Sequence, residues 1–476
     1  MKTSQRIIKN FLSLTGADII ARLLSTVLSV YIARSMGASV FGQLAFAIAF
    51  TNYFNLFSDF GLTTLGIREI ARDKSQTPSF ATNITALQVW LSLILIGVLG
   101  GLLFFMPLEI NLKWLTFLVG LSMLPGAFSL TYVFQAYEKM EFTALVRILT
   151  QILTVVTAFA LIYFTKNILA LPIVQFLVGL LSALLIYYLL KRFIYFSWSQ
   201  IEFAKIRFLF RLAIPFVISG LAIQIYYSLD SIILQFLKGS TVVGYYSAGY
   251  KVVLLLIGFA GFFQTAIYPT LTNFLKADLE KANELVARTS KLLIFICLPI
   301  AVGGTVLAPK IISFLYGNAY TESILPFQIL IWSIFTIYVN VSFGATLLAA
   351  GRERQYTKSA VMGAALNLIF NLVLIPKFSL VGAAIATMIT EFYVLISLYY
   401  YSSKVIKVSI LKNLIQAFFT AVAMGAILVF LDLNVLVLIT LGAVLYFSAV
   451  FIFRFLDKND FDFILTFFRE RGVIHD

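Results

Sequence analysis

Fourteen stretches of about 20 or more mostly apolar residues, each the length needed to cross ~30 Å of hydrocarbon, follow one another along this chain of 476 residues. Hydrocarbon offers no partner to an unpaired backbone group, so each stretch must be helical. Only 12% of the residues are charged, against about 25% in soluble domains. The sequence therefore predicts an all-α polytopic membrane protein with about 14 transmembrane helices. The spans centre near Leu23, Phe50, Leu93, Met123, Val155, Val178, Ile223, Leu255, Leu298, Phe335, Leu368, Met388, Ala421 and Leu441.

Two pairs of segments in this chain resemble each other. The first pair is RSMGASVFGQL (34–44) and FLKGSTVVGYY (236–246). The second, weaker pair is residues 167–190 and residues 378–401. In the first pair, Gly37 matches Gly239 at an offset of 202 residues. Weak internal symmetry of this kind is typical of two-lobed transporters. It predicts two pseudo-symmetric six-helix lobes, followed by two accessory helices.

The expected domain boundaries follow from this symmetry. They are an N-terminal lobe at 1–192, a cytoplasmic linker at 193–211, a C-terminal lobe at 212–403, two accessory transmembrane helices at 404–457 and a cytoplasmic tail at 458–476. The linker places apolar residues at helical spacing, from Ile194 and Trp198 to Phe208. We therefore expect a short amphipathic helix on the inner membrane surface. The following apolar run is interrupted by Pro215 and Gly220.

Lysine and arginine are distributed very unequally between the two sides of the predicted topology. Of the 35 in the chain, 26 lie on one side, six on the other and three inside spans. The positive-inside rule then predicts that both termini are cytoplasmic, in a multi-pass protein of the cell (inner) membrane. The net charge of +14 is accounted for mainly by this topology and gives no reason to expect nucleic-acid binding.

Several chemistries are excluded by the residues that the chain lacks. A single cysteine, Cys297, rules out a disulfide framework, and a single histidine, His475, rules out a histidine-based metal site or triad. No phosphate-binding G-x-x-x-x-G-K-[ST] motif occurs, so the chain does not hydrolyse ATP. A polysaccharide polymerase or ligase would need a large outer loop, and every predicted outer loop is short. We therefore expect no catalytic residues, no metal site and no cofactor.

Charged residues inside the spans are the strongest functional candidates, because each costs at least ~2.5–3.5 kcal/mol on insertion scales. Asp18 and Arg22 share a helix face, which is consistent either with a structural salt bridge or with an anion-binding arginine. For Arg34 and Arg147, the alternative to substrate binding is that the side chain snorkels toward the membrane boundary. The candidate substrate-binding cations are Arg22, Arg34, Arg147 and Lys251.

A second group of candidates is acidic or neutral. Asp18, Asp230 and Glu391 are candidates for ion or proton coupling, and each carboxylate is equally consistent with half of a buried ion pair. Tyr226, Asn367 and Asn371 are candidate polar lining residues. Asparagines at helical spacing also join transmembrane helices, so that reading stays open. The coupling ion, H+ or Na+, is not determined by the sequence.

Five motifs resemble the multidrug/oligosaccharidyl-lipid/polysaccharide (MOP) exporter superfamily, in particular its polysaccharide transporter branch, whose members resemble O-antigen flippases. They are YIARSMGASVFGQLAFAIAF (31–50), SDFGLTTLGIREIAR (58–72), LDSIILQFLKGSTVVGYYSAGYK (229–251), LLAAGRERQY (347–356) and LIPKFSLVGAAIATMITE (374–391). The resemblance implies two lobes around a central cavity with cationic residues. It also implies transfer of a polyprenyl-(pyro)phosphate-linked oligosaccharide between leaflets by alternating access. One departure is Ser379, where the family often has glycine.

Two other functions within the same superfamily stay open, a lipid II flippase and an ion-coupled drug/cation antiporter. Fourteen spans and a cationic set of candidates argue against the antiporter. The expected partners are the lipid-linked oligosaccharide, membrane lipids and the polysaccharide polymerase or glycosyltransferase machinery. We expect the chain to work as a monomer.

Overall fold

The computed structural model describes residues 3–191, 200–456 and 460. This part of the chain is helical throughout, with short 3-10 turns at Lys74–Gln76 and Asn318–Ser323, and the described residues include no strand. The helices are α1 (Thr3–Asp59), α2 (Leu62–Arg72), α3 (Thr77–Phe105), α4 (Ile110–Gly120), α5 (Met123–Ala127), α6 (Thr131–Ala136), α7 (Met140–Thr165), α8 (Ala170–Leu190), α9 (Phe203–Lys238), α10 (Ser240–Ile257), α11 (Ala260–Ala277), α12 (Leu279–Tyr316), α13 (Ile324–Leu330), α14 (Ser333–Ala349), α15 (Glu353–Ser402), α16 (Leu411–Val429) and α17 (Val435–Ile452).

Twelve helical segments of the described chain are long and apolar enough to cross a membrane. Two of them are far longer than one crossing needs. The 57 residues of α1 and the 50 residues of α15 would extend about 85 Å and 75 Å at 1.5 Å per residue. Each contains a break in helical geometry, at Gly37 in α1 and at Ser379 in α15. Each therefore holds two spans, and the fourteen predicted spans are confirmed.

The breaks between spans repeat along the chain. Gly37 has φ 80° and ψ 173°, and Gly239 has φ 86° and ψ 172°. This region of φ/ψ space is accessible to glycine and strained for other residues. The turn that precedes residues 167–190 contains Lys166 at φ 51°, and the turn at the start of residues 378–401 contains Ser379 at φ 53°. The first pair of segments thus marks two turns of the same geometry, as expected for the predicted pseudo-symmetric organisation. The second pair marks two turns at corresponding places whose ψ angles differ, 27° at Lys166 and −132° at Ser379.

The backbone divides into two compact units, Met1–Gln235 and Phe236–Asp476, called here the first and the second unit. In the first unit, α1 packs against α3, α4 and α7, while α2 packs against α3 and α6. Large apolar side chains fill a core among α2, α3, α6, α8 and the start of α9. Its members include Leu62, Leu65, Ile84, Tyr132, Phe134, Ile186 and Leu209.

The helix α9 packs closely on the end of α1 within the first unit. A Cβ atom on Gly220 would lie 2.4 Å from Leu56 Cδ1, and one on Gly61 would lie 2.4 Å from Phe216 Cβ. Gly61 is therefore required by close packing and by its φ of 73°, whereas the flexible end of the Leu56 side chain can move away from a Cβ atom at position 220. The interruption expected at Pro215 is not present, because α9 continues through this proline. Transmembrane helices tolerate proline where neighbouring groups compensate for the lost hydrogen bond.

The backbone just before α9 is fixed to α3 by one buried asparagine. Asn83 donates from Nδ2 to the carbonyl of Gln200 (2.9 Å), and its Oδ1 accepts from the amide of Glu202 (2.8 Å). Lys205 adds a bond from Nζ to Ser79 Oγ (2.8 Å). The first half of the predicted amphipathic linker, with Ile194 and Trp198, lies outside the described residues.

In the second unit, α12 is the central helix. It packs against α11, α13, α14, α16 and α17, so both accessory helices lie against it. Lys310 on α12 donates to Asp432 Oδ1 (3.0 Å) in the turn between α16 and α17. At the other end of α12, Lys291 donates to Asp460 (2.6 Å), which is buried. Asp460, in the predicted cytoplasmic tail, is thus held against α12 by an ion pair.

Candidate functional site

The contact between α1 and α7 has charged residues on both helices. On α1, Asp18, Arg22 and Ser25 recur at helical spacing and so share one face. On α7, Arg147 and Gln151 are one turn apart. Because the two helices pack along each other, the charged residues of both can meet.

One carboxylate joins two arginines in this seam. Arg22 donates from Nε to Asp18 Oδ2 at 2.8 Å. Arg147 donates from Nη2 to the other oxygen, Asp18 Oδ1. Arg22, Asp18 and Arg147 are called here the Asp18 triad. The sequence predicted the first contact from its i, i+4 spacing, but it gave no indication that Arg147 shares the same carboxylate.

The charges of the Asp18 triad do not cancel. Two guanidinium groups face one carboxylate, so the triad carries a net charge of +1. The side chains of Arg22 and Arg147 are 47% and 49% exposed, whereas that of Asp18 is 16% exposed. Each guanidinium has five donor N–H groups and gives only one of its nitrogens to Asp18. The triad therefore keeps donors available for a further anion.

Nearby hydroxyl groups do not compete for the triad. Thr26 donates to the carbonyl of Arg22 (2.8 Å), and Ser29 donates to that of Ser25 (2.8 Å). On α7, Thr150 donates to the carbonyl of Val146 (2.7 Å). Such bonds to the preceding turn satisfy a hydroxyl inside a helix. The charged groups of this seam are thus left to each other and to a ligand.

The other two cationic candidates are not part of the triad. Arg34 lies on the same helix, twelve residues after Arg22, which separates the two by about 18 Å along the axis. Its side chain is exposed, three residues before the break at Gly37. Lys251 belongs to α10 of the second unit and is half-buried. The structure thus brings together two of the four predicted cations.

Asp230 is the most buried charged candidate. It lies on α9 in the first unit, 1% exposed, and its Oδ1 accepts from the amide of Ser231 at 2.7 Å. One turn earlier, the ring of Tyr226 packs edge-on against that of Tyr227, with 5.3 Å between the centroids. The hydroxyl of Tyr53 on α1 lies within electrostatic range of Asp230. A carboxylate this deep in a transmembrane helix is a functional candidate.

The polar and acidic candidates of the second unit lie on α15, in two separate hydrogen-bonded pairs. Asn371 donates from Nδ2 to Asn367 Oδ1 (2.9 Å) along α15. Glu391, 2% exposed, accepts from Thr336 Oγ1 (3.3 Å) on α14. Asn371 Oδ1 is buried and has no hydrogen-bond partner within the described chain. An orphaned buried oxygen is unusual and is available to a proton donor or a small cation.

The sequence did not single out a further polar network on α2 and α3. Asp59 accepts from the amide of Gly61 (3.1 Å) and from Gln88 Nε2 (2.9 Å), and so fixes the start of α2. Gln88 is almost fully buried, like Asn83. In the sequence, the position of Asn83 and Gln88 within an otherwise apolar span could have identified this network. Among the described residues, no group of three or more His, Cys, Asp or Glu side chains is arranged to hold a metal ion.

Comparison with known proteins places these observations in context. A family model described as "Polysaccharide biosynthesis protein" matches residues 7–275, more than half of the chain. The capsular polysaccharide biosynthesis protein CapF of Staphylococcus aureus is 29% identical over 205 residues, which are 42% of this chain and 51% of CapF. The chain thus spans about half the length of this relative. A putative O-antigen transporter of Shigella dysenteriae is 23% identical over 368 residues, which cover 76% of this chain and 91% of the transporter.

A solved structure shares the fold over nearly the whole chain. The lipid II flippase MurJ in an inward closed conformation superposes with a TM-score of 0.73. The superposition covers 93% of this chain and 98% of that one, at 17% sequence identity. At this level of identity the likeness shows the fold alone.

Proposed function

We propose that this chain, which belongs to the polysaccharide biosynthesis protein family and to the polysaccharide-transporter branch of the MOP exporter superfamily, is a flippase. Its substrate is a polyprenyl-(pyro)phosphate-linked oligosaccharide, which it moves from the inner to the outer leaflet for surface polysaccharide or glycan assembly. The relatives named above as a capsular polysaccharide biosynthesis protein and a putative O-antigen transporter support this proposal.

The Asp18 triad is the observation that carries the proposal. A sugar linked through phosphate or pyrophosphate has a headgroup too polar and too anionic to cross hydrocarbon alone. Arginine binds phosphate oxygens through paired, charge-assisted hydrogen bonds. In a site with a low effective dielectric constant this attraction is stronger than in water. Arg22 and Arg147, with donors to spare, are the groups that hold the phosphate, and Arg34 and Lys251 are further candidates along its path.

Transport follows alternating access, coupled to an ion gradient or to the membrane potential. Asp230 and Glu391 are the coupling carboxylates because both are almost fully buried. Each carboxylate can lose its charge by taking up a proton or offset it by binding a small cation. Tyr226, one turn before Asp230 on α9, and the hydrogen-bonded Asn367 and Asn371 on α15 contribute further polar groups. Both termini face the cytoplasm, where the excess of lysine and arginine lies.

The net positive charge of the triad favours an anionic substrate and argues against a drug/cation antiporter. A lipid II flippase shares the same headgroup chemistry, because its substrate is also linked through pyrophosphate. The two kinds of flippase differ in the sugar portion of the substrate, which the cationic triad does not contact. Polymerases and glycosyltransferases of the same assembly process are the proposed partners, with the chain itself acting as a monomer.

Reconstitution with defined substrates tests the proposal. Purified protein is placed in liposomes that carry a fluorescent oligosaccharide linked to polyprenyl pyrophosphate, and a membrane-impermeant quencher reports its movement between leaflets. We expect faster movement than in protein-free liposomes, with lipid II and a cationic drug as comparison substrates. Equal rates with and without protein for every lipid-linked sugar, together with transport of the drug, would reject the flippase in favour of the antiporter.

A further inference from the structure

The Asp18 triad has a feature that simple anion binding does not need. Asp18 occupies both arginines at once, with Arg22 on one carboxylate oxygen and Arg147 on the other. An incoming anion that uses the same donors must therefore displace a resident anion. The two arginines are half-exposed and Asp18 is much less so, so the ligand meets the cations before it meets the carboxylate.

We propose that Asp18 is a specificity-determining residue that selects headgroups with two or more negative charges over singly charged phospholipids. This inference rests on the proposed function and assigns Asp18 the role of a resident counter-anion. A phosphodiester lipid such as phosphatidylglycerol carries one negative charge, the same as the carboxylate that it would displace. The exchange gains no charge attraction, and it leaves Asp18 without its partners in a membrane segment, which is costly.

A pyrophosphate group changes this balance. It carries at least two negative charges and more acceptor oxygens than a carboxylate, so it forms more charge-assisted bonds with the two guanidinium groups. Its two phosphate groups can each contact one arginine through donors that Asp18 leaves unused, so Asp18 keeps its partners. The single phosphate group of a phosphodiester contacts both arginines only by displacing Asp18. Specificity often comes from an element that rejects the wrong ligand as well as from contacts with the right one. Singly charged phospholipids are the abundant wrong ligand in a membrane, and Asp18 is the rejecting element.

The test compares two probes on one protein. Binding of inorganic pyrophosphate and of short-chain dihexanoyl phosphatidylglycerol is measured by calorimetry on the purified full chain in neutral detergent. We expect the wild-type protein to bind pyrophosphate and to bind phosphatidylglycerol much more weakly. Asp18→Asn keeps the size of the side chain and removes its charge. It should strengthen phosphatidylglycerol binding by about tenfold, which corresponds to about 1.4 kcal/mol, and so reduce the preference for pyrophosphate.

The outcomes separate this inference from the function on which it rests. If wild type binds pyrophosphate and Asp18→Asn leaves the preference unchanged, or weakens binding of both probes, Asp18 is a structural partner only. If wild type binds both probes equally well, the inference is wrong, and this result does not depend on whether the Asp18→Asn variant folds. If wild type binds neither probe, and Arg147→Ala behaves like wild type, the triad is not the phosphate site and the proposed function loses its main support. Asp18→Glu, which restores the charge, should recover the preference for pyrophosphate.

Discussion

In the first unit two arginines lie half-exposed around Asp18, whereas the polar candidates of the second unit, Asn367, Asn371 and Glu391, are almost completely buried. The turns of the two units repeat, as Gly37 and Gly239 illustrate. The charge of Arg22 does not repeat along the chain, because the residue at the offset of 202 from it is the neutral Gln224. A duplicated helical frame has thus been given two chemistries. The half-exposed arginines suit a large anionic ligand, and the buried polar groups suit a proton or a small cation.

The largest effect should follow from removing an arginine of the Asp18 triad. Arg22→Ala or Arg147→Ala should lower flipping of a pyrophosphate-linked sugar by about a hundredfold or more. Hydrogen bonds to charged groups contribute about 1.5–3 kcal/mol each, and each change also leaves Asp18 with one partner fewer. The measurement is the initial rate in liposomes, with insertion checked by size-exclusion chromatography.

A control for the arginine variants is Arg68→Ala. Arg68 is 57% exposed and pairs with Glu69, so it resembles the triad arginines in exposure and pairing but lies on α2. Its loss should change the rate less than about twofold, as expected for an exposed ion pair. An equal loss of rate in Arg68→Ala would mean that general positive charge matters and that the triad has no special role.

The next effect concerns ion coupling and tests one buried carboxylate in each unit. Asp230→Asn and Glu391→Gln should each weaken the dependence of flipping on an imposed proton or sodium gradient, while binding of the substrate is retained. The reason is that a neutral amide has no charge for the ion to compensate. The rate is measured with and without each gradient, and Glu284→Gln, on an exposed residue paired with Arg288, serves as the control. If the gradient dependence is unchanged in both variants, the two carboxylates have a structural role.

Much of this architecture can be predicted from the local sequence. Span number follows from the length of apolar runs, and the repeated turns follow from Gly37 and Gly239, whose conformation few other residues adopt. The pairing of Asp18 with Arg22 follows from helical periodicity.

What the sequence does not reveal depends on tertiary packing. Arg147 reaches Asp18 only because α7 packs along α1, and the two residues are 129 positions apart. In the same way, Pro215 predicts an interruption from the sequence, but α9 continues through it and packs on the end of α1.

A smaller effect is expected at the turns between the fifth and sixth spans of each lobe. Ser379 has φ 53° and ψ −132°, a conformation that strains a residue with a side chain, and the related family often has glycine there. Ser379→Gly should raise the free energy of unfolding by about 1 kcal/mol, as expected when such strain is relieved. Lys166, at φ 51° and ψ 27°, lies in the more accessible left-handed helical region. Lys166→Gly should therefore change stability less. Urea unfolding in detergent would measure both, and a destabilised Ser379→Gly variant would contradict the assignment of strain.

The smallest expected effect concerns two equivalent helix caps outside the spans. Asp73 ends α2 and Asp278 ends α11, and each carboxylate then accepts hydrogen bonds at the start of the next helical segment. Hydrogen bonds, first from the Ser75 side chain, lower the pKa of Asp73, and those of Lys281, first its backbone amide, lower the pKa of Asp278. A lowered pKa means that the stabilisation is complete above the ordinary value of about 3.9 and is lost as the pH falls through the folded-state value. With Asp73→Asn or Asp278→Asn, the melting temperature should therefore fall slightly less steeply as the pH is lowered, and by the same amount in both variants. Near neutral pH the melting temperature should change little. Since both caps are exposed, a large effect of either substitution, or an effect confined to one unit, would show that the repeated frame is not equally supported in its two copies.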